Sequence, residues 1–228
     1  MKTAFLILFS LCFAAGAFAQ TPTDTIFLVK EKSRDTYHSV YIENNKLAPI
    51  YKQVLDFTIL RDEQLYRQSI DYITKKYPQP AQRYNTLGIS GKWYPLYQYE
   101  GNYYLYAPCD YMYHHPFSIA FDGVTDLTPE GFAISRINGF SKEGGSYTFS
   151  LDGLFYGETV RTIHVIDAEK GIAVIEERSG NGPPEYRLAV HHITAPNFPL
   201  IVNDCKGGKA AEYEFDEPDY QALLKNRK

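Results

Sequence analysis

Six histidines are the first residues in this chain to ask for chemistry. They fall as two adjacent pairs, His114-His115 and His191-His192, with His38 and His164 alone. Neighbours on a strand point to opposite faces, so each pair offers at most one ring to a shared site. A site built from His115, His164 and His192, with Asp110 as a carboxylate, is geometrically possible. No spacing among them matches a metal-ligand pattern such as His-Glu-x-x-His, and no metal site is assigned. The plainer reading is six histidines, each satisfied singly or exposed.

Carboxylates crowd the same region: Asp110, Asp122, Asp126 and Glu130, with Glu176-Glu177 in a later strand. Two carboxyls held a few Å apart across a cleft would do glycosidase chemistry, and scattered turn and surface acids explain the same residues. The chain has no Gly-x-Ser-x-Gly elbow and no Gly-rich phosphate loop, and Cys109 sits in no recognisable nucleophile context. Nothing calls for a cofactor. These absences lean against an enzyme; the competing class is an exported hydrolase with a carboxylate and histidine site around residues 110–115.

The stretch Gly91 to Asp110 reads as a β-hairpin turning at Gly101-Asn102, because glycine at the first central position suits a type II′ turn. That register faces Tyr99 with Tyr104 and Tyr97 with Tyr106. Alternation then puts Trp93, Tyr97, Tyr99, Tyr104 and Tyr106 on one face. Tyr94, Leu96, Leu105, Ala107 and Cys109 make an ordinary core face on the other side. The aromatic face has three readings: the lining of a ligand cavity, an exposed platform for a glycan or a partner, or a buried layer with each hydroxyl satisfied internally.

Short strands must position these groups. Thr25 to Val29, Tyr37 to Ile42 and Val54 to Ile59 are β-branched or aromatic runs. Tyr66, Ile70, Ile73 and Tyr77 then recur at helical spacing and predict a helix over 62–76, with Asp62 as N-cap and Pro78 as stop. Further strands are expected at Phe117–Phe121, Phe132–Ile137 and Tyr147–Leu151. A meander follows from Thr159 to Ile193, with a last strand at Phe198–Val202 and a short terminal helix over Tyr220–Leu224. The fold class is mainly β: an antiparallel barrel or sandwich with one N-terminal-half helix and a short C-terminal helix.

The first nineteen residues read as a signal peptide. Lys2 is the positive n-region, Ala4 to Phe13 the apolar run, and Ala17-Phe18-Ala19 the cleavage site before Gln20. The run is too short to span a bilayer, and no later segment is long and apolar enough to cross one. The reading is therefore an exported chain, periplasmic or extracellular. Residues 20–90 form a β/α segment packed on an antiparallel domain over 91–228. Without Lys2 the formal net charge moves from −4 to −5, which gives no basic stripe for nucleic acid. Cys109 and Cys205, the two cysteines left, are a disulfide candidate in an oxidising compartment; two buried thiols are the alternative.

Gly91-Lys92-Trp93 resembles the Gly-x-Trp signature that opens the first barrel strand of lipocalins, and about eight strands follow it. The resemblance implies an up-and-down barrel holding one small apolar ligand, with Trp93 packed at the closed end and Arg187 the candidate to cover it. In lipocalins the motif lies near the mature N-terminus, whereas here about 70 residues precede it. The leading expectation is an exported, non-enzymatic binding protein whose aromatic face takes a small amphipathic molecule or a glycan. A hydrolase, or a structural or assembly component of the cell envelope with a protein partner, are the alternatives.

Overall fold

The computed structural model describes residues 26–32, 37–55, 63–78, 82–110, 114–128, 131–153, 157–206 and 211–227. The leader, Asp62 and the greater part of the strand expected at Val54–Ile59 lie outside the described residues. Val54 and Leu55 themselves close a helix instead, α1 (Pro49–Leu55), with Tyr51 and Val54 buried. Proline in the first turn favours that start, and contacts on one helical face override the β-branched local preference.

Eight antiparallel strands close into a barrel in the order β3 (Gly91–Tyr99), β11 (Glu185–His191), β10 (Ile172–Ser179), β9 (Gly157–Asp167), β8 (Ser146–Gly153), β7 (Gly131–Glu143), β6 (Gly123–Thr128), β5 (Phe117–Ile119), and back to β3. Lys92 and Trp93 complete the ring by pairing with Ser118 and Phe117, while Trp93 also pairs with His191. Strand β6 continues directly from the turn at Asp122, where sequence reading ended a strand and began none.

A second, four-stranded sheet grows from the far end of β3. There β4 (Asn102–Ala107), β12 (Leu200–Lys206), β2 (Tyr37–Glu43) and β1 (Ile26–Lys32) follow in order. β12 runs parallel to β4 through Leu200–Leu105 and Val202–Ala107, and antiparallel to β2 over its whole length. The N-terminal strands therefore share hydrogen bonds with the last strand of the chain. The linkage lives on one short hairpin: β3 pairs with β4 only over Tyr97–Tyr99, after which β4 turns away to β12.

Burial follows the pleat. In β9, Thr159, Arg161 and Ile163 point inward and Val160 and Thr162 outward. Ile172 to Ile175 of β10 are buried on both faces, as strands covered twice must be. Inside the barrel, Trp93, Phe117, Val124, Ile137, Phe149, Leu151, Ile163 and Ile175 form one apolar cluster. Outside it, Tyr94, Leu96, Val174, Leu188 and Val190 meet α1, and α3 (Tyr220–Lys225) packs along β9 and β10. The helix α2 (Glu63–Lys76) lies on β7. There Arg136 pairs with Asp152 at 2.7 Å and donates to the Tyr77 carbonyl at 3.0 Å, both partners of the ion pair being 2 % exposed.

Candidate functional site

The mouth of the barrel carries its chemistry. Asp126 on β6, Arg161 on β9, Glu177 on β10 and Arg187 on β11 occupy inward-facing positions above the apolar filling. Arg161 places its two terminal nitrogens on Asp126 at 2.9 and 3.1 Å, and its Nε donates to Glu177 at 2.9 Å. Burial works to lower its pKa, but the two carboxylates outweigh that and hold its charge more firmly than usual. Arg187 fares differently. It reaches Glu177 at only 3.4 Å, on the oxygen Arg161 already uses. Burial and repulsion from Arg161 push its pKa down, beyond what Glu177 and Asp126 restore. Two cations share two carboxylates, and Arg161 has the better share.

Arg187 opens into a cleft of about 140 Å³. Its walls are Pro95, Leu96, Tyr97 and Gln98 of β3, Leu188 of β11, His115, and Phe215, Asp216, Pro218 and Tyr220 of the C-terminal segment. The Arg187 side chain is 36 % exposed there. Among the described residues its guanidinium donates only to Glu177, at 3.4 Å; such a cation, set among rings, is equipped to hold an anion attached to an apolar body.

The hairpin turns one residue earlier than its sequence indicates. Glu100 and Gly101 are the central residues, with φ of 48° and 73°, and two positive values are what a type I′ turn requires. Tyr97 therefore faces Tyr104, and Tyr99 faces Asn102. Moving the turn by one changes the pairing by two, so the side-chain faces are unchanged. The rings do meet, at 5.4 Å for Tyr97 and Tyr106 and 6.2 Å for Tyr99 and Tyr104. Tyr213 and Phe215 lie over them, with Phe215 at 4.5 Å from Tyr97. Trp93 parts from the other four, because β3 is still a barrel strand at that point. Its indole donates to the Ile89 carbonyl at 2.9 Å and stacks on Phe117 at 6.2 Å, inside the wall. Of the five residues only Tyr97 lines the cleft; burial, with Glu212 nearby, raises its hydroxyl to about 12.

The cover is fastened through Glu212. Its carboxylate accepts from the Asp110 and Cys109 backbone N–H groups at 2.8 and 3.3 Å and from the Tyr106 hydroxyl at 2.5 Å. Asn203 adds a donor at 3.2 Å, and its own carbonyl oxygen meets His38 at 2.8 Å. Beside this clamp Cys109 is joined to Cys205 in a disulfide with Cα atoms 5.8 Å apart.

The histidines disperse. His115 meets the Leu127 carbonyl at 3.4 Å, and His164 bridges Ser146 and Glu176. His192 stacks beside His191 at 4.3 Å, where burial lowers its pKa. His114 is buried, and burial takes it down to about 4. Among the described residues no three His, Cys, Asp or Glu side chains gather as a metal site would need. Gly91 has φ 114°, and a Cβ there would strike the His192 ring, which accounts for the glycine of Gly91-Lys92-Trp93. Arg187 stands over Phe117 at 5.6 Å rather than over Trp93, one ring removed from the expected partner.

Sequence reading missed Arg161, Phe215 and Tyr220. The available signal was parity: Arg161 and Glu177 hold charges on the faces that Ile163 and Ile175 mark as inward. Compared with known proteins, the chain matches no family model, no curated protein and no solved structure.

Proposed function

We propose that this is an exported binding protein that takes a small amphipathic carboxylate at the mouth of its barrel and releases it unchanged. One observation carries the reading: Arg187 faces an aromatic-walled cleft, and among the described residues its guanidinium donates only to Glu177, at 3.4 Å. The apolar interior is filled, so the ligand belongs at the mouth and not along the axis. Size narrows the class, since a cavity of ~150 Å³ holds a benzene ring and this cleft measures about 140 Å³. A single-ring aromatic or short aliphatic carboxylate fits. Asp216 on the wall disfavours dianions.

Export is inferred from the leader at residues 1–19. The lipocalin-like reading draws support from the eight-stranded antiparallel barrel entered at Gly91-Lys92-Trp93. A glycan platform gains none, because Tyr213 and Phe215 cover the phenol face. Titration calorimetry with benzoate and with benzyl alcohol tests the proposal. Benzoate should bind more tightly by roughly tenfold or more, the worth of a charge-assisted hydrogen bond, and Arg187→Gln should erase the difference. Trp93, stacked on the ring beneath Arg187, should report binding by a change in emission. Equal or absent binding of the two compounds overturns the reading.

A further inference from the structure

On the outer wall of the barrel three strands bring together a serine, a histidine and a carboxylate. The register sets Ser146 of β8 opposite His164 of β9, and Glu176 of β10 opposite Thr162, so all three side chains share one face. Ser146 Oγ lies 2.9 Å from His164 Nδ1, and His164 Nε2 lies 3.0 Å from Glu176 Oε2. In the neutral ring only one tautomer serves both contacts: Nε2–H donates to the carboxylate, and Nδ1 accepts the serine proton. Arg178 fixes the other carboxylate oxygen, donating from Nε at 2.7 Å. Arg227, anchored by its Nε to the Leu224 carbonyl at 2.8 Å, donates to Ser146 Oγ at 2.6 Å. The hydroxyl oxygen is thus an acceptor for Arg227, and its hydrogen is directed at the imidazole.

A groove of about 350 Å³ lies between α3 and the barrel wall, lined by Ile166, Ile172, Leu223 and Asn226 among others. Ser146, His164 and Glu176 are not in its lining, and Asn226 is the chain neighbour of Arg227. Ile166 is the next residue after His164 on the same face of β9. We propose that Ser146, His164 and Glu176 form a nucleophilic relay that takes the acyl group of a small ester onto Ser146. This is a second site, independent of the cleft at Arg187.

The step balances without a co-reactant beyond water. Ser146 Oγ bonds to the acyl carbon as its proton passes to His164 Nδ1, and the imidazolium is held by Glu176 through Nε2–H. The ester C–O bond breaks, and the leaving alkoxide takes the proton from Nδ1. Water gives its proton to the same nitrogen and bonds to the acyl carbon; the acyl–Oγ bond then breaks, Nδ1 returns the proton to Ser146 Oγ, and the acid is released. Arg227, 2.6 Å from Ser146 Oγ, stabilises the charge that develops on that oxygen as its proton leaves.

The test uses the full mature chain and a fluorophosphonate probe, with intact-mass and peptide analysis. One adduct is expected, located at Ser146 and absent from Ser146→Ala. Glu176→Gln should label at least ~100-fold more slowly, the low end of what a positioned acid–base group contributes, with an unchanged circular dichroism spectrum. p-Nitrophenyl acetate should show an acetyl-Ser146 intermediate. An unlabelled wild-type protein overturns the proposal, whatever the variants do. So does an adduct at another residue, or labelling of Glu176→Gln at the wild-type rate.

Discussion

Arg161 lies over the ring of Phe117 at 5.0 Å while its two terminal nitrogens hold both oxygens of Asp126. The barrel's apolar filling therefore ends in a cation, and that cation is neutralised from two strands. Removing Asp126 leaves the buried Arg161 with Glu177 as its one carboxylate, which Arg187 also contacts, and removing Arg161 leaves Asp126 without its bidentate partner. Asp126→Ala should cost about 3 kcal/mol in urea unfolding. Arg161→Met should cost a similar amount, and the double variant less than the two together. Strict additivity in that cycle would mean the charges do not act as a pair.

Tyr106 is the hydroxyl on which the C-terminal cover turns. It donates to Glu212 and accepts from Asn203 and from the Tyr213 backbone, each at 3.0 Å. Burial and Glu212 keep its pKa well above the usual phenol value, so the proton stays in the bond. Tyr106→Phe keeps the ring packing, takes the acceptor from the Tyr213 backbone N–H and removes one donor from the part-buried Glu212 carboxylate. The expected loss is about 2–3 kcal/mol. Limited proteolysis should cut residues 211–219 faster in this variant than in wild type. An unchanged cleavage rate would show that the ring stack alone holds the cover.

The barrel was legible because β-branched and aromatic runs recur at close spacing between glycine-bearing turns, and because β9 alternates inward and outward residues over Thr159 to Ile163. The tyrosine face was legible for the same reason, even with its turn misplaced, since parity survives a two-residue slip. The division of that face was not legible. Trp93 and Tyr97 lie on one strand with one parity, yet β3 pairs with β5 and β11 at the first and with β4 at the second. Which partner a strand takes is a long-range property, and local pattern carries no mark of it. The covering of the hairpin by Tyr213 and Phe215 was hidden likewise, because residues 211–219 have no periodicity and join the sheet by one bridge, Gln98–Asp216.

The Cys109–Cys205 bridge closes a separation of 96 residues. On the chain-entropy account, a loop of that size contributes about 4–5 kcal/mol by restricting the unfolded chain. Reductant, or the double variant Cys109→Ala/Cys205→Ala, should lower the urea midpoint accordingly. Arg187-dependent benzoate affinity should survive, since the bridge lies beside the Glu212 clamp and neither cysteine lines the cleft. Loss of binding at full foldedness would place the bridge in the site itself.

His114 supplies the acid limb of stability. It is 6 % exposed and packed near the Val54 carbonyl; burial, with a smaller contribution from His115, takes its pKa from 6.5 down to about 4. The folded protein therefore holds the neutral ring while the unfolded chain takes up a proton first. Its contribution is complete above the unfolded value of ~6.5 and is lost as pH falls through about 4. At about 1.4 kcal/mol per unit, the span amounts to roughly 3 kcal/mol. His114→Gln should flatten the stability profile between those two pH values and leave the carboxylate-driven loss below pH ~4 in place. A urea-unfolding series from pH 7 to pH 4 on both proteins makes the comparison, and parallel profiles would assign the acid limb to another group.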